Sequence, residues 1–111
     1  MTAETFERFA EGRTLYFSRD GEPFGAEQYF AGRRSLWQFE DGSCEEGQWW
    51  AEGRLICFRY GEAASQCWRF SGGPDDFVAE SMRDGIETGF ALRFSHADDR
   101  PLPCPGPKVG S

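Results

Sequence analysis

Four cysteines carry the clearest chemical signal in this sequence. They stand at Cys44, Cys57, Cys67 and Cys104. No two of them form a C-x-x-C pair, and the single histidine, His96, lies outside any ligand-like spacing, so no metal site is predicted. An even number of cysteines in a short chain is typical of disulfides formed in an oxidising compartment, with free buried thiols as the alternative.

Catalytic chemistry has little support in the sequence. Nucleophilic catalysis needs a base beside the nucleophile, and Ser95 points to the opposite face of a strand from His96. Acid–base work by two carboxyls requires buried groups with separated pKa values. The acidic pairs instead fall at turns or loop edges, where solvation explains them: Glu45-Glu46, Asp75-Asp76 and Asp98-Asp99. The sequence therefore predicts no catalytic residue, no enzyme and no cofactor.

Composition excludes several classes of protein. The chain has 111 residues and a net charge of -7, which argues against nucleic acid as a partner because phosphate contacts need clustered Lys and Arg. No window approaches the roughly 20 apolar residues that cross a bilayer, so a membrane-spanning protein is not expected. An aromatic content of 16% is too high for a disordered acidic chain. We expect one domain over residues 1–111.

The elements that would position these side chains are short strands. Turn signals recur about every ten residues, as at Asp20-Gly21, Ala31-Gly32, Asp41-Gly42 and Glu52-Gly53, and they continue to Asp84-Gly85. This interval is typical of an antiparallel meander. The predicted strands are 13–19, 24–30, 35–40, 44–50, 54–60, 66–70, 76–82 and 88–96. The fold class is therefore mostly β: about eight antiparallel strands in up-and-down order over residues 13–96, closing into a small calycin-like barrel.

Two segments flank the meander. Residues 2–11 are predicted to form a short helix capped by Thr2, in which Phe6 and Phe9 share one face and plug one end of the barrel. Residues 97–111 are predicted to form an extended arm because proline cannot donate to a sheet ladder.

Alternation along the strands places large aromatic residues on the inner face. If the barrel held a small ligand, these rings would line its mouth: Trp37, Phe39, Trp49, Phe58, Tyr60, Trp68 and Phe90. If they filled the interior instead, no ligand would fit.

The strand register also predicts how the cysteines pair. Cys57 and Cys67 lie directly opposite each other if their hairpin is centred on Glu62, and facing residues are close enough for a disulfide. Cys44 then pairs with Cys104, which would tie the arm to the sheet. The alternative leaves Cys44 and Cys104 free.

Several segments resemble small uncharacterised β-rich proteins of alphaproteobacteria, which are often exported. The resemblance covers most of residues 4–110, and its motifs are turns, aromatics and cysteines. They are 20–25 (DGEPFG), 47–58 (GQWWAEGRLICF), 66–68 (QCW) and 103–107 (PCPGP). It implies a β-rich exported domain and indicates no catalytic residue.

Two functions follow as expectations. The favoured one is a non-enzymatic structural or protein-interaction domain with a protein partner, because large aromatics consume the volume that a ligand needs. The alternative is a module that binds a small apolar or aromatic ligand in the barrel mouth. The cysteines favour a periplasmic or secreted location. The segment 1–8 (MTAETFER) has no leader character, which leaves either a processed domain or a cytoplasmic protein.

Overall fold

The computed structural model describes residues 1–105 and shows a closed antiparallel barrel with one helix before it. The eight strands pair in chain order, and the last strand pairs with the first, which confirms the predicted up-and-down barrel. The elements are α1 (Ala3–Ala10), β1 (Thr14–Arg19), β2 (Glu22–Phe30), β3 (Arg34–Gln38), β4 (Cys44–Glu52), β5 (Leu55–Tyr60), β6 (Gln66–Gly73), β7 (Asp76–Arg83) and β8 (Ile86–Asp98).

Two of the hairpins have the turn that their sequence predicts. Asp20 and Gly21 have φ of 52° and 82°, and Asp84 and Gly85 have φ of 54° and 77°. Two successive residues with positive φ match the twist of antiparallel strands, and Asp-Gly adopts that conformation at little cost. The turn at Asp41 differs, because its side chain accepts a hydrogen bond from the Ser43 amide at 2.9 Å.

Helix α1 closes one end of the barrel. Thr2 caps it by accepting a hydrogen bond from the Thr5 amide at 3.1 Å. Phe6 is fully buried, and its ring makes edge-to-face contacts with rings of four strands: Tyr29, Trp49, Phe70 and Phe77. Phe9 is partly buried and packs edge-to-face against Phe94. The predicted plug is therefore present, with Phe6 at its centre.

The boundary between the last strand and the arm lies later than predicted. β8 continues to Asp98, since Ala97 pairs with Leu15 and Asp98 pairs with Thr14. These pairs extend the β1–β8 ladder that closes the barrel. Because the two strands are far apart in the sequence, local sequence signals do not predict these additional pairs. Residues 99–105 form the described part of the arm, and the remainder of the predicted arm, 106–111, lies outside the described residues.

The arm is held against the barrel by polar contacts and a disulfide. Thr14 Oγ1 donates to the carbonyl oxygen of Arg100 at 2.6 Å, and the Leu102 amide donates to Gln28 Oε1 at 3.0 Å. Cys104 is bonded to Cys44, as predicted, with 5.8 Å between their Cα atoms.

The second predicted disulfide joins Cys57 and Cys67, which face each other in the β5–β6 register with Cα atoms 4.0 Å apart. Cys57 lies on the outward side of β5 yet is fully buried. Glu52 approaches both sulfurs within 4.8 Å. Since the sulfurs are bonded to each other, they are not thiolate ligands, and this cluster is not a metal site.

Within residues 1–105, no helix has the length and apolar character needed to cross a membrane.

Candidate functional site

The end of the barrel away from α1 contains a cavity of about 760 Å³. Its deep wall includes Tyr29 and Phe70, whose rings contact Phe6 of the plug. Its rim includes Asp84 and Gly85 of the β7–β8 turn. The barrel is thus filled at the helix end and open at the other.

Six of the seven predicted rings line this cavity: Trp37, Phe39, Phe58, Tyr60, Trp68 and Phe90. Phe39 is 44% exposed at the rim because β3 ends one residue before it. Trp49 does not line the cavity. It lies at the helix end of β4, 4% exposed, with its ring centroid 5.4 Å from that of Phe6. Strand alternation predicts which face a ring occupies but not its height along the barrel, and Trp49 belongs to the plug.

The cavity also contains a buried carboxyl that sequence reasoning missed. Glu27 is 3% exposed and lies inside the barrel, paired in register with Leu15 on one side and Trp37 on the other. Tyr60 Oη donates to Glu27 Oε2 at 2.6 Å, and Tyr29 Oη donates to Oε1 at 3.1 Å. Two tyrosines from different strands therefore fix both oxygens of one carboxyl.

Burial controls the protonation of this group. Removal from water raises the pKa of Glu27 to about 7, although hydrogen bonding to Tyr60, Ser35 and Tyr29 works in the opposite direction. Burial and the neighbouring Glu27 also raise the pKa of Tyr29 and of Tyr60 well above the ordinary range, so both phenols remain donors.

Ser35 completes this polar cluster. It is 2% exposed, and its hydroxyl lies near enough to Glu27 to lower the pKa of that carboxyl. The geometry of this contact is not that of a hydrogen bond. Within residues 1–105, Ser35 Oγ is therefore a buried hydroxyl that has no hydrogen-bond partner. Among residues 1–105, none of the ion pairs includes Glu27. The cluster therefore has unused hydrogen-bonding capacity inside an apolar cavity.

A signal for Glu27 was present in the sequence. Period-two alternation places Gly25, Glu27 and Tyr29 on one face of β2. The register sets Gly25 opposite Phe17, which is a buried inward residue. A charged residue at an inward position of a small barrel is unusual enough to mark a site.

Two glycines make room for the rings that shape the cavity. A Cβ at Gly47 would come within 2.6 Å of the Tyr60 ring, and a Cβ at Gly25 would overlap the Trp37 indole. Any larger residue at either position would push a ring out of place, so these glycines are required by close approach.

The ionisable side chains around the cavity are mostly acidic. Among residues 1–105, the carboxyls of Glu27, Glu45 and Asp84 line its open end, together with the basic residue Arg83. The cavity therefore carries an excess of negative charge.

Several other polar side chains lie on the outer surface of the barrel. Arg69 on β6 pairs with Glu80 on β7 at 2.8 Å and also with Glu87 on β8, so both are cross-strand ion pairs. Ser95 Oγ lies 3.5 Å from His96 Nδ1, at the limit of a hydrogen bond. Both residues are outside the cavity lining, and the His96 ring stacks on Tyr16 with centroids 4.4 Å apart.

Comparison of the chain with protein-family models, curated proteins and solved structures finds no match.

Proposed function

We propose that this protein binds a small, largely apolar or aromatic molecule in the open end of its barrel. The observation that supports this is the cavity of about 760 Å³, which falls within the range of roughly 300–1,000 Å³ typical of small-molecule sites. Aromatic walls with a few placed polar groups are the usual composition of such sites, and Glu27, Tyr29 and Tyr60 supply the polar groups.

The competing role, a structural or protein-interaction domain, assumes that the rings fill the interior. The rings do fill the helix end, where Trp49 and Phe77 both pack against Phe6. At the other end the rings surround a space. A purely structural barrel has no need for this space, because empty volume forfeits dispersion contacts.

We also propose that the protein acts in the periplasm or outside the cell. Two disulfides support an oxidising compartment, because reducing conditions in the cytosol rarely allow structural disulfides to persist. Exported members of the alphaproteobacterial family that the sequence resembles would share this location.

A thermal-shift screen with small apolar and aromatic compounds tests the binding proposal. A ligand present at 100 times its Kd should stabilise the fold by about 2.7 kcal/mol by mass action, which raises the melting temperature by several degrees. The matched control is Ser81→Trp, because Ser81 lines the cavity and an indole there would occupy it. Its own melting temperature shows whether it folds.

We expect compounds that stabilise the wild-type protein and leave Ser81→Trp unchanged. A broad screen in which no compound stabilises the wild-type protein would overturn the proposal and favour the structural or protein-interaction role. Equal stabilisation of both proteins would place binding outside the cavity.

A further inference from the structure

This inference deepens the proposed function and rests on it. We infer that the ligand is a small organic cation, with an amine that binds the Glu27 carboxylate and an apolar or aromatic body that packs among the cavity rings. The juxtaposition of one buried carboxyl with an aromatic wall carries the inference.

The carboxylate has acceptor capacity that the protein does not use. An ionised carboxylate offers about four lone-pair sites. Tyr60 and Tyr29 each donate one hydrogen bond to Glu27. Within residues 1–105 no Lys, Arg or His forms an ion pair with it. A buried charge without a counter-charge is costly, and a ligand ammonium would remove that cost while donating to the free lone pairs.

The rings beside Glu27 suit a cation. Trp37 is the direct neighbour of Glu27 in the β2–β3 register. The Tyr60 ring is also close to Glu27, because the Tyr60 hydroxyl donates a hydrogen bond to the carboxyl. Tyr60 stacks nearly parallel to Phe58, with ring centroids 6.3 Å apart. A cation held within about 6 Å of such ring faces is attracted by their quadrupoles, most strongly when desolvated.

The charge around the cavity selects the sign of the ligand. Glu45 and Asp84 join Glu27 at the lining, where these carboxyls outnumber Arg83 among residues 1–105, and the whole chain carries a net charge of -7. Clefts lined by one sign of charge concentrate ions of the opposite sign. An anionic ligand would be repelled both by Glu27 and by the acidic residues around it, so the charge of the cavity disfavours an anion.

Each strand packed against Glu27 contributes to its surroundings. Tyr29 lies on its own strand, Ser35 on β3 and Tyr60 on β5, while the neighbour on β1 is Leu15. Glu45, on β4 at the cavity mouth, adds a negative charge that raises the pKa of Tyr60. None of these groups is cationic, and both tyrosines stay protonated at neutral pH, so Glu27 is the group whose charge changes in this range.

Three probes with the same aromatic body test the inference by isothermal titration calorimetry: 2-phenylethylamine, 2-phenylethanol and 3-phenylpropionate. At pH 8 we expect the amine to bind at least about tenfold more tightly than the alcohol, as a charge-assisted hydrogen bond implies, and the carboxylate to bind most weakly. In Glu27→Gln the advantage of the amine over the alcohol should fall to about twofold. The matched control Glu46→Gln removes an exposed carboxyl on the same strand that does not line the cavity, and this variant should keep the full advantage.

The pH dependence of wild-type binding gives a second test that needs no variant. An amine with a pKa near that of lysine stays protonated from pH 5 to pH 8, whereas Glu27 becomes neutral as the pH falls through about 7. The affinity for 2-phenylethylamine should therefore be at least about tenfold lower at pH 5 than at pH 8. The affinity for 2-phenylethanol should stay nearly constant.

The outcomes separate the two proposals. If the alcohol or the carboxylate binds as tightly as the amine, or if the amine binds equally at pH 5 and pH 8, the cation inference is wrong while ligand binding stands. If none of the three probes binds and the compound screen is also negative, both proposals fail.

Discussion

At the scale of single residues, Glu27 distinguishes this barrel from one whose interior contains only aromatic rings. A buried carboxyl is retained at a cost in stability unless it is paired. Here two tyrosine hydroxyls offset part of the cost, and no basic side chain among residues 1–105 offsets the rest. The residual cost should be visible as a dependence of stability on pH.

The sign of that dependence follows from the pKa of Glu27, which is about 7 in the folded chain against 4.5 in the unfolded chain. Below both values the carboxyl is neutral in both states and there is no penalty. As the pH rises from 4.5 to about 7, the unfolded chain releases its proton first, so folding becomes less favourable. We expect the free energy of unfolding to be lower by roughly 2–3 kcal/mol at pH 8 than at pH 5.

Urea unfolding of the wild-type protein and of Glu27→Gln at both pH values measures this difference. The glutamine does not titrate, and its carbonyl can still accept a hydrogen bond from Tyr60. The free energy of unfolding of the Glu27→Gln variant should therefore lack the pH dependence that Glu27 contributes. Subtraction of the two profiles removes the contribution of every other titrating group. Parallel profiles would show that Glu27 is ionised in the folded protein at little cost.

Residue-level predictions from the sequence succeeded where register decides the outcome. Cys57 and Cys67 were placed by strand geometry, and the structure joins them. The burial of Glu27 is not predicted, because acidic residues are usually exposed and only the alternation of β2 taken together with that of β1 places this side chain inside the barrel. The helix-end position of Trp49 depends on strand stagger around the barrel, which no local pattern specifies.

At the scale of elements, α1 is a plug that forms part of the hydrophobic core. A helix of 8 residues is too short to be stable alone, so its packing must hold it in place. Phe6 is the largest fully buried side chain of the helix, and the ion pair between Glu7 and Arg33 at 3.0 Å adds a contact with the segment between β2 and β3. The sequence predicted this element from Thr2, Phe6 and Phe9, because capping and helical periodicity are local signals.

Removal of the Phe6 ring should destabilise the whole barrel. Phe6→Ala deletes a fully buried ring that contacts four others, and we expect a loss of about 3–5 kcal/mol in the free energy of unfolding. Phe9→Ala is the matched control on the same helix. Phe9 is only partly buried, so its loss should not exceed about 2 kcal/mol.

Urea unfolding of both variants at one pH measures the two losses. A loss for Phe6→Ala no larger than that for Phe9→Ala would show that the barrel holds together without its plug.

At the scale of the whole molecule, closure of the barrel and retention of a cavity are separate matters. Closure follows from eight strands that pair in chain order through short turns, with the last strand paired to the first, and the sequence predicted it. The cavity depends on where each ring lies along the barrel axis and on the glycines that admit Trp37 and Tyr60. These are long-range packing relations, so the sequence left open whether the rings fill the interior or surround a space.

The two disulfides connect the stability of the whole fold to its compartment. On the chain-entropy model, the Cys44–Cys104 bond, with a separation of 60 residues, contributes about 4 kcal/mol, and the Cys57–Cys67 bond, with a separation of 10, about 2–3 kcal/mol. Because domains of this size have a total stability of about 5–15 kcal/mol, losing both bonds should remove a large share of it. We expect Cys44→Ser/Cys104→Ser to lower the urea midpoint more than Cys57→Ser/Cys67→Ser, and dithiothreitol to lower the wild-type midpoint further than either. A wild-type midpoint unchanged by the reductant, or four reactive thiols in protein isolated under oxidising conditions, would contradict both the bonds and the proposed oxidising compartment.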